Sequence, residues 1–178
     1  EVHVWRINWQ VHGASNQTFD AMKEQRRCII EFADAKAQNS NAQRILCPTA
    51  PRNRQLEKDA MVEVIEKYPV HGIQFDYMRY GGEDQCFCDG CRERFEAWHG
   101  RELDAWPDIC YGSGALAEKY IDWRVELMTA SVKEISDAIH RVRPAARVSL
   151  AARTAPWPNR RRHDAQHWED WVQKGYLD

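Results

Sequence analysis

The run Cys86-Phe87-Cys88-Asp89-Gly90-Cys91 sets three thiols in a C-x-C-x-x-C spacing on a loop that leads into a helix. Thiolates this close together can converge on one metal ion, and zinc in a structural role takes four such ligands in a closed tetrahedron. A fourth ligand is needed. Cys47, in the Leu46-Cys47-Pro48 loop, is the leading candidate, because that loop and the one after residue 76 should leave the same end of a parallel sheet. Cys28, inside an expected helix, and Cys110 rank below it, with His71 and His99 in reserve. Six cysteines can also pair as disulfides in an oxidising compartment. A C-x-C pair rarely suits a bridge, however, and a local triplet leaves an odd thiol. An iron–sulfur cluster calls for longer cysteine runs.

The second chemical feature is Phe75-Asp76-Tyr77-Met78-Arg79-Tyr80. It ends a short apolar run, where parallel α/β folds gather their chemistry. A carboxylate with a cation and two phenols nearby suits acid–base or nucleophilic work such as glycosidic bond cleavage. An Asp–Arg salt bridge closing a strand fits the same spacing. Glycoside hydrolysis normally needs a second carboxylate, about 5 Å away for retention or about 6.5–9.5 Å for inversion. Glu83, Asp84 and Asp164 are the nearest in sequence, and none matches Asp76 in quality of position.

The elements that must hold these groups follow from periodicity. Residues 2–9 alternate apolar and polar side chains and read as a strand, as do the apolar runs 70–77 and 147–152. Helical stripes cover 18–37, with Thr18 as N-cap, then 52–68, 91–98, 115–142 and 164–174, while 154–162 reads as a loop. Strands alternating with long helices imply parallel βα units. Three such units are too few for a closed eightfold barrel of about 250 residues. The expectation is therefore a single domain over 1–178 that forms part of a (β/α)8 barrel.

Composition narrows the partners. A net charge of -2 offers no basic footprint for nucleic acid, and the Arg160-Arg161-Arg162 run reads as a solvated surface. No stretch reaches the roughly 18 apolar residues of a membrane span. The chain begins without Met, so a secreted or cell-envelope location with an upstream signal stays open, as does the oligomeric state. Eight Trp and six Tyr supply flat apolar faces of the kind sugars stack on, although core packing must account for most of them.

Three stretches carry a resemblance: Cys47-Pro48-Thr49-Ala50-Pro51, Tyr68 to Tyr80, and Cys86 to Phe95. Together they resemble the family 10 glycosyl-hydrolase-like proteins, whose barrels carry a cysteine–proline loop and a D-G-I-x-F-D-Y-x-R-Y strand, often followed by a cysteine knot. Val148 to Ala152 and Gln166-His167-Trp168 to Asp178 are similar to that family's next strand and Q-D-W segment. The order of cysteine, strand carboxylate and C-x-C-x-x-C is also similar to family 42 β-galactosidases, in which four cysteines hold zinc. His71 and His167 depart from the first pattern, each standing where Asp is usual. A further P-M-D-Y strand of the family would follow Asp178.

The resemblance implies a glycoside hydrolase acting on a poly- or oligosaccharide, with Asp76 as catalytic carboxylate. It implies Trp5, Asn8, Tyr77, Arg79 and Tyr80 lining the sugar site, and a structural zinc on Cys47, Cys86, Cys88 and Cys91. A noncatalytic carbohydrate-binding barrel and a zinc-stabilised interaction module are the alternatives.

Overall fold

The computed structural model describes residues 1–39 and 41–178; Ser40, in the Asn39-Ser40-Asn41 run whose composition reads as a break after the first helical stripe, lies outside the described residues. Three parallel strands form one sheet in the order β1 (His3–Ile7), β2 (Gly72–Asp76), β3 (Arg147–Leu150). Two long helices make the crossovers. One is α3 (Pro51–Lys67), preceded by the short α1 (Asn16–Glu24) and α2 (Phe32–Lys36). The other is α5 (Ala117–Val142), preceded by α4 (Asp89–His99). The short helices α6 (Trp157–His163) and α7 (Trp168–Gln173) follow β3. This is the expected α/β architecture of about three βα units.

Side chains alternate across the sheet, so register decides which residues share a face. Ile73, Phe75 and Val148 are buried beneath α3 and α5, which also pack on each other. Trp5 pairs with Gln74, which pairs with Ser149, and Ile7 pairs with Asp76; these residues occupy the opposite face. That face is open, with Trp5 60% and Ile7 40% exposed. In a (β/α)8 barrel the helix-covered face is the outer one and the open face lines the interior. Gly72 is obligatory at the β2–β3 contact, because a Cβ there would meet the Arg147 carbonyl oxygen at 2.3 Å.

Three expectations are corrected. The helix over 18–37 is broken in two. Ser15, not Thr18, caps α1, accepting from the Thr18 N–H at 3.1 Å. Arg26 then adopts φ +53° and Cys28 bridges to Leu46, so extended backbone takes Cys28 and Ile29 into the core. The loop at 154–162 contains α6, capped by Pro156 and with Pro158 in its first turn, where a fixed φ and a missing N–H are tolerated. The arginine run is not a uniformly solvated surface. Arg160 is buried, donating to the carbonyls of Ala155 and Gln166, and paired with Glu169. Arg161 and Arg162 strap α6 to Glu118 and Asp122 of α5, and Arg162 also holds Glu83. No helix among the described residues is long and apolar enough to cross a membrane.

Candidate functional site

Both long excursions leave the C-terminal edge of the sheet and meet over it. The first runs from Asn8 to Ala50 and delivers Cys47. The second, from Tyr77 to Leu116, delivers Cys86, Cys88 and Cys91 at the start of α4. The four Sγ atoms lie within 4.8 Å of one another, and all four residues are buried. Cys47 Sγ is 3.4 Å from Cys91 Sγ and 3.9 Å from Cys88 Sγ. Four sulfurs at about 2.3 Å from a tetrahedral ion would stand roughly 3.8 Å apart, so the cluster could hold a metal with little movement. Hydrogen bonds from the Cys86, Cys88 and Cys91 thiols hold the Cys47 thiol well below its ordinary pKa. Burial pushes Cys86 well above. Cys88 is raised too, chiefly by its hydrogen bond to Cys47, so without a metal the cluster concentrates its negative charge on the Cys47 sulfur.

The backbone around the cluster is pinned. Asn53, fully buried on α3, donates to the carbonyls of Cys47 (2.9 Å) and Arg27 (2.8 Å) and accepts from Arg27 Nε. The Tyr120 hydroxyl of α5 donates to the Cys86 carbonyl at 2.5 Å. Phe87 stacks with Tyr120 and packs edge-on against Phe32 and Tyr111. Thr49 Oγ1 lies 3.1 Å from Cys47 Sγ and 3.3 Å from Cys91 Sγ, and accepts from Arg94 Nε and Nη2 at 3.0 and 2.8 Å. Cys28 and Cys110 stand outside the cluster as buried thiols; burial raises both, Cys110 to about 12.

Asp76 ends β2 on the open face, half-buried, its Oδ1 accepting from the Tyr77 N–H at 2.8 Å. Among the described residues no cation lies within salt-bridge distance of it, so the strand-closing Asp–Arg pair is not formed. Tyr77, at φ +54° and 40% exposed, turns the chain out of the strand, and the Arg79 guanidinium stacks 4.2 Å over its ring. Trp9 makes the same left-handed exit from β1, at φ +64°. Left-handed non-glycine backbone is strained, and such strain collects where a fold places side chains for use.

The residues expected to line the site are divided by the sheet. Trp5, Asp76 and Tyr77 reach solvent, and Arg79 is half-buried beside them. Asn8 and Tyr80 do not reach it. Asn8 falls on the helix-covered side, fully buried, and donates to Glu57 at 2.9 Å. Tyr80 is buried under the Arg124 guanidinium, 4.1 Å from its ring, and burial drives its hydroxyl well above the usual pKa. Both support the strand ends from behind.

Glu57 of α3 is the largest feature the residue pattern left unread. Its carboxylate is wholly buried and accepts from Arg6 Nε and Nη2, Asn8 Nδ2 and the Trp9 N–H. All three donor residues are some fifty positions away, so no local signal marks it. Thr49 and Arg94 were missed likewise, although Arg94 stands one helical turn after Gly90. Of the sequence-near acids, Glu83 pairs with Arg162 at 2.7 Å and the buried Asp164 with Arg153 at 3.5 Å, while Asp84 is in no ion pair among the described residues. His71 lies at the N-terminal end of β2, its Nδ1 accepting from the Val2 N–H, remote from the strand mouth. His167 stacks on Trp157 at 3.8 Å between ring centroids.

The profile of the glycosyl hydrolase-like 10 family matches residues 2–178. An S-layer-related protein of Niallia circulans is 22% identical over 134 residues, covering 68% of this chain and 8% of that protein. Among solved structures, α-L-fucosidase isoenzyme 2 from Paenibacillus thiaminolyticus superposes with a TM-score of 0.57 at 19% identity, covering 85% of this chain and 20% of that one. The PgaB (BpsB) glycoside hydrolase domain from Bordetella bronchiseptica superposes with a TM-score of 0.59 at 10% identity, covering 74% and 38%. Both are likenesses of fold, and the chain spans well under half of each of these proteins.

Proposed function

This chain belongs to the glycosyl hydrolase-like 10 family, and from that premise we propose that it is part of a barrel that cleaves glycosidic bonds in a poly- or oligosaccharide, residues 1–178 forming one portion of the catalytic domain. Asp76 is the catalytic carboxylate. The supporting observation is its place at the C-terminal end of β2 on the open face, with one carboxylate oxygen held by the Tyr77 N–H and, among the described residues, no cation in salt-bridge distance. Tyr77, Trp5 and Arg79 supply stacking and hydrogen-bonding surface beside it. Zinc fits the four cysteines by donor type, number and spacing. With four thiolates it would keep no open position for water, so its contribution is to fix the loop next to Asp76.

The test is release of reducing ends from a panel of bacterial polysaccharides by the full-length parent protein. Wild type should release them and Asp76→Asn should not; full release by Asp76→Asn overturns the assignment. A noncatalytic sugar-binding barrel is the second reading. It is favoured by the capture of Glu83 and Asp164 in ion pairs, which leaves Asp84 as the one sequence-near acid outside an ion pair among the described residues. Saturable glycan binding without turnover by the wild type would select it.

A further inference from the structure

We propose that Thr49 and Arg94 form an outer shell that sets the polarity of the cysteine cluster, with Gly90 providing the space in which the arginine lies; the inference rests on the metal reading above. A hydroxyl has one proton and two lone pairs, and a guanidinium can only donate. Arg94 Nε and Nη2 both point at Thr49 Oγ1, at 3.0 and 2.8 Å, and occupy its lone pairs. The hydroxyl proton then has to go to sulfur, and the two within reach are Cys47 Sγ at 3.1 Å and Cys91 Sγ at 3.3 Å. Thr49 is therefore a donor to thiolate and cannot serve as acceptor from a thiol. The direction of the bond is fixed by Arg94.

The electrostatic need is plain. Four thiolates around a divalent cation leave two negative charges uncompensated in a buried place, which is costly without a nearby cation or donors. Arg94 meets that need. Its guanidinium, always charged, stands one hydroxyl away from the Cys47 and Cys91 sulfurs.

Gly90 carries the argument independently. A Cβ at this position would stand 2.6 Å from Arg94 Nη2 and 2.9 Å from Nη1. The glycine inside the C-x-x-C spacing is thus the floor on which the guanidinium rests. Gly90→Ala would push Arg94 off Thr49 while changing no charge, donor or ligand. Such outer groups, which orient and polarise metal ligands, typically govern affinity by about 10–100-fold.

The experiment measures zinc affinity of the purified chain by competition with a chromophoric chelator, with cobalt(II) spectra reporting the ligand set. Arg94→Met, Thr49→Val and Gly90→Ala should each weaken zinc by about 10–100-fold, while the cobalt–thiolate bands keep their four-sulfur form. Arg94→Lys should fall between. Helix propensity favours alanine over glycine, so the metal-free Gly90→Ala chain should be no less stable than wild type even as its zinc affinity drops. Should Arg94→Met fail to fold, the other two variants decide. Zinc affinity within twofold of wild type in Gly90→Ala and Thr49→Val overturns the inference and leaves the metal site standing. A wild-type chain that takes up neither zinc nor cobalt overturns both.

Discussion

The two regions at the C-terminal edge of the sheet are built on opposite principles. In the cysteine corner the backbone and the sulfurs are tied down: Asn53 closes the Cys47 and Arg27 carbonyls, Tyr120 takes that of Cys86, and Arg94 and Thr49 face the sulfurs. At the strand mouth groups are left over. Among the described residues Arg79 Nε has no partner and Asp76 no counter-charge, and Trp5 and Ile7 lie open. Unanswered polar atoms cost stability, and a fold keeps them where something else is to be met. The corner holds shape, and the mouth keeps its chemistry available.

Substitutions should separate the two. The largest loss is expected in the corner, from Cys88→Ser or exhaustive chelation. Structural zinc contributes about 10–16 kcal/mol in small zinc domains, so even a fraction here should cost about 5 kcal/mol. Calorimetry with and without chelator measures it, and a melting temperature indifferent to chelator would erase the distinction between corner and mouth. Glu57→Gln comes next. It leaves buried donors from Asn8 and Trp9 facing an amide and breaks the pair with Arg6, costing about 3 kcal/mol in denaturant unfolding. A loss under about 1 kcal/mol would show that the β1 exit is held by other contacts.

The residue pattern carried most of the corner and only part of the mouth. Cys47 could be joined to the C-x-C-x-x-C run because parallel topology sends both loops to one edge, and the apolar runs of β2 and β3 and the stripes of α3 and α5 were periodic enough to place that edge. What escaped was long-range or local in a non-periodic way. Glu57 draws its donors from β1 and its exit, about fifty residues earlier, and Arg26 turns the chain left-handed inside a helical pattern, so that the bridge of Cys28 to Leu46 overrides propensity. Asn8 has the right chemistry for a sugar but the wrong parity, since it stands one residue past Ile7 and so faces α3.

A smaller effect sharpens the frame that both regions share. Gly72→Ala places a Cβ against the Arg147 carbonyl and should cost about 1–3 kcal/mol, seen as faster amide exchange along β2 and β3. Unchanged exchange there would mean that the strands part without penalty.

The smallest effect is the most telling. If Asp76 is held for chemistry, its side chain contributes one hydrogen bond to Tyr77 and little else to the fold. Equilibrium denaturant unfolding of Asp76→Asn against wild type measures this directly. The expected change is within about 0.5 kcal/mol of zero, with zinc content unaltered. A loss above about 2 kcal/mol would make Asp76 a structural residue of the strand end and contradict its assignment to the open mouth.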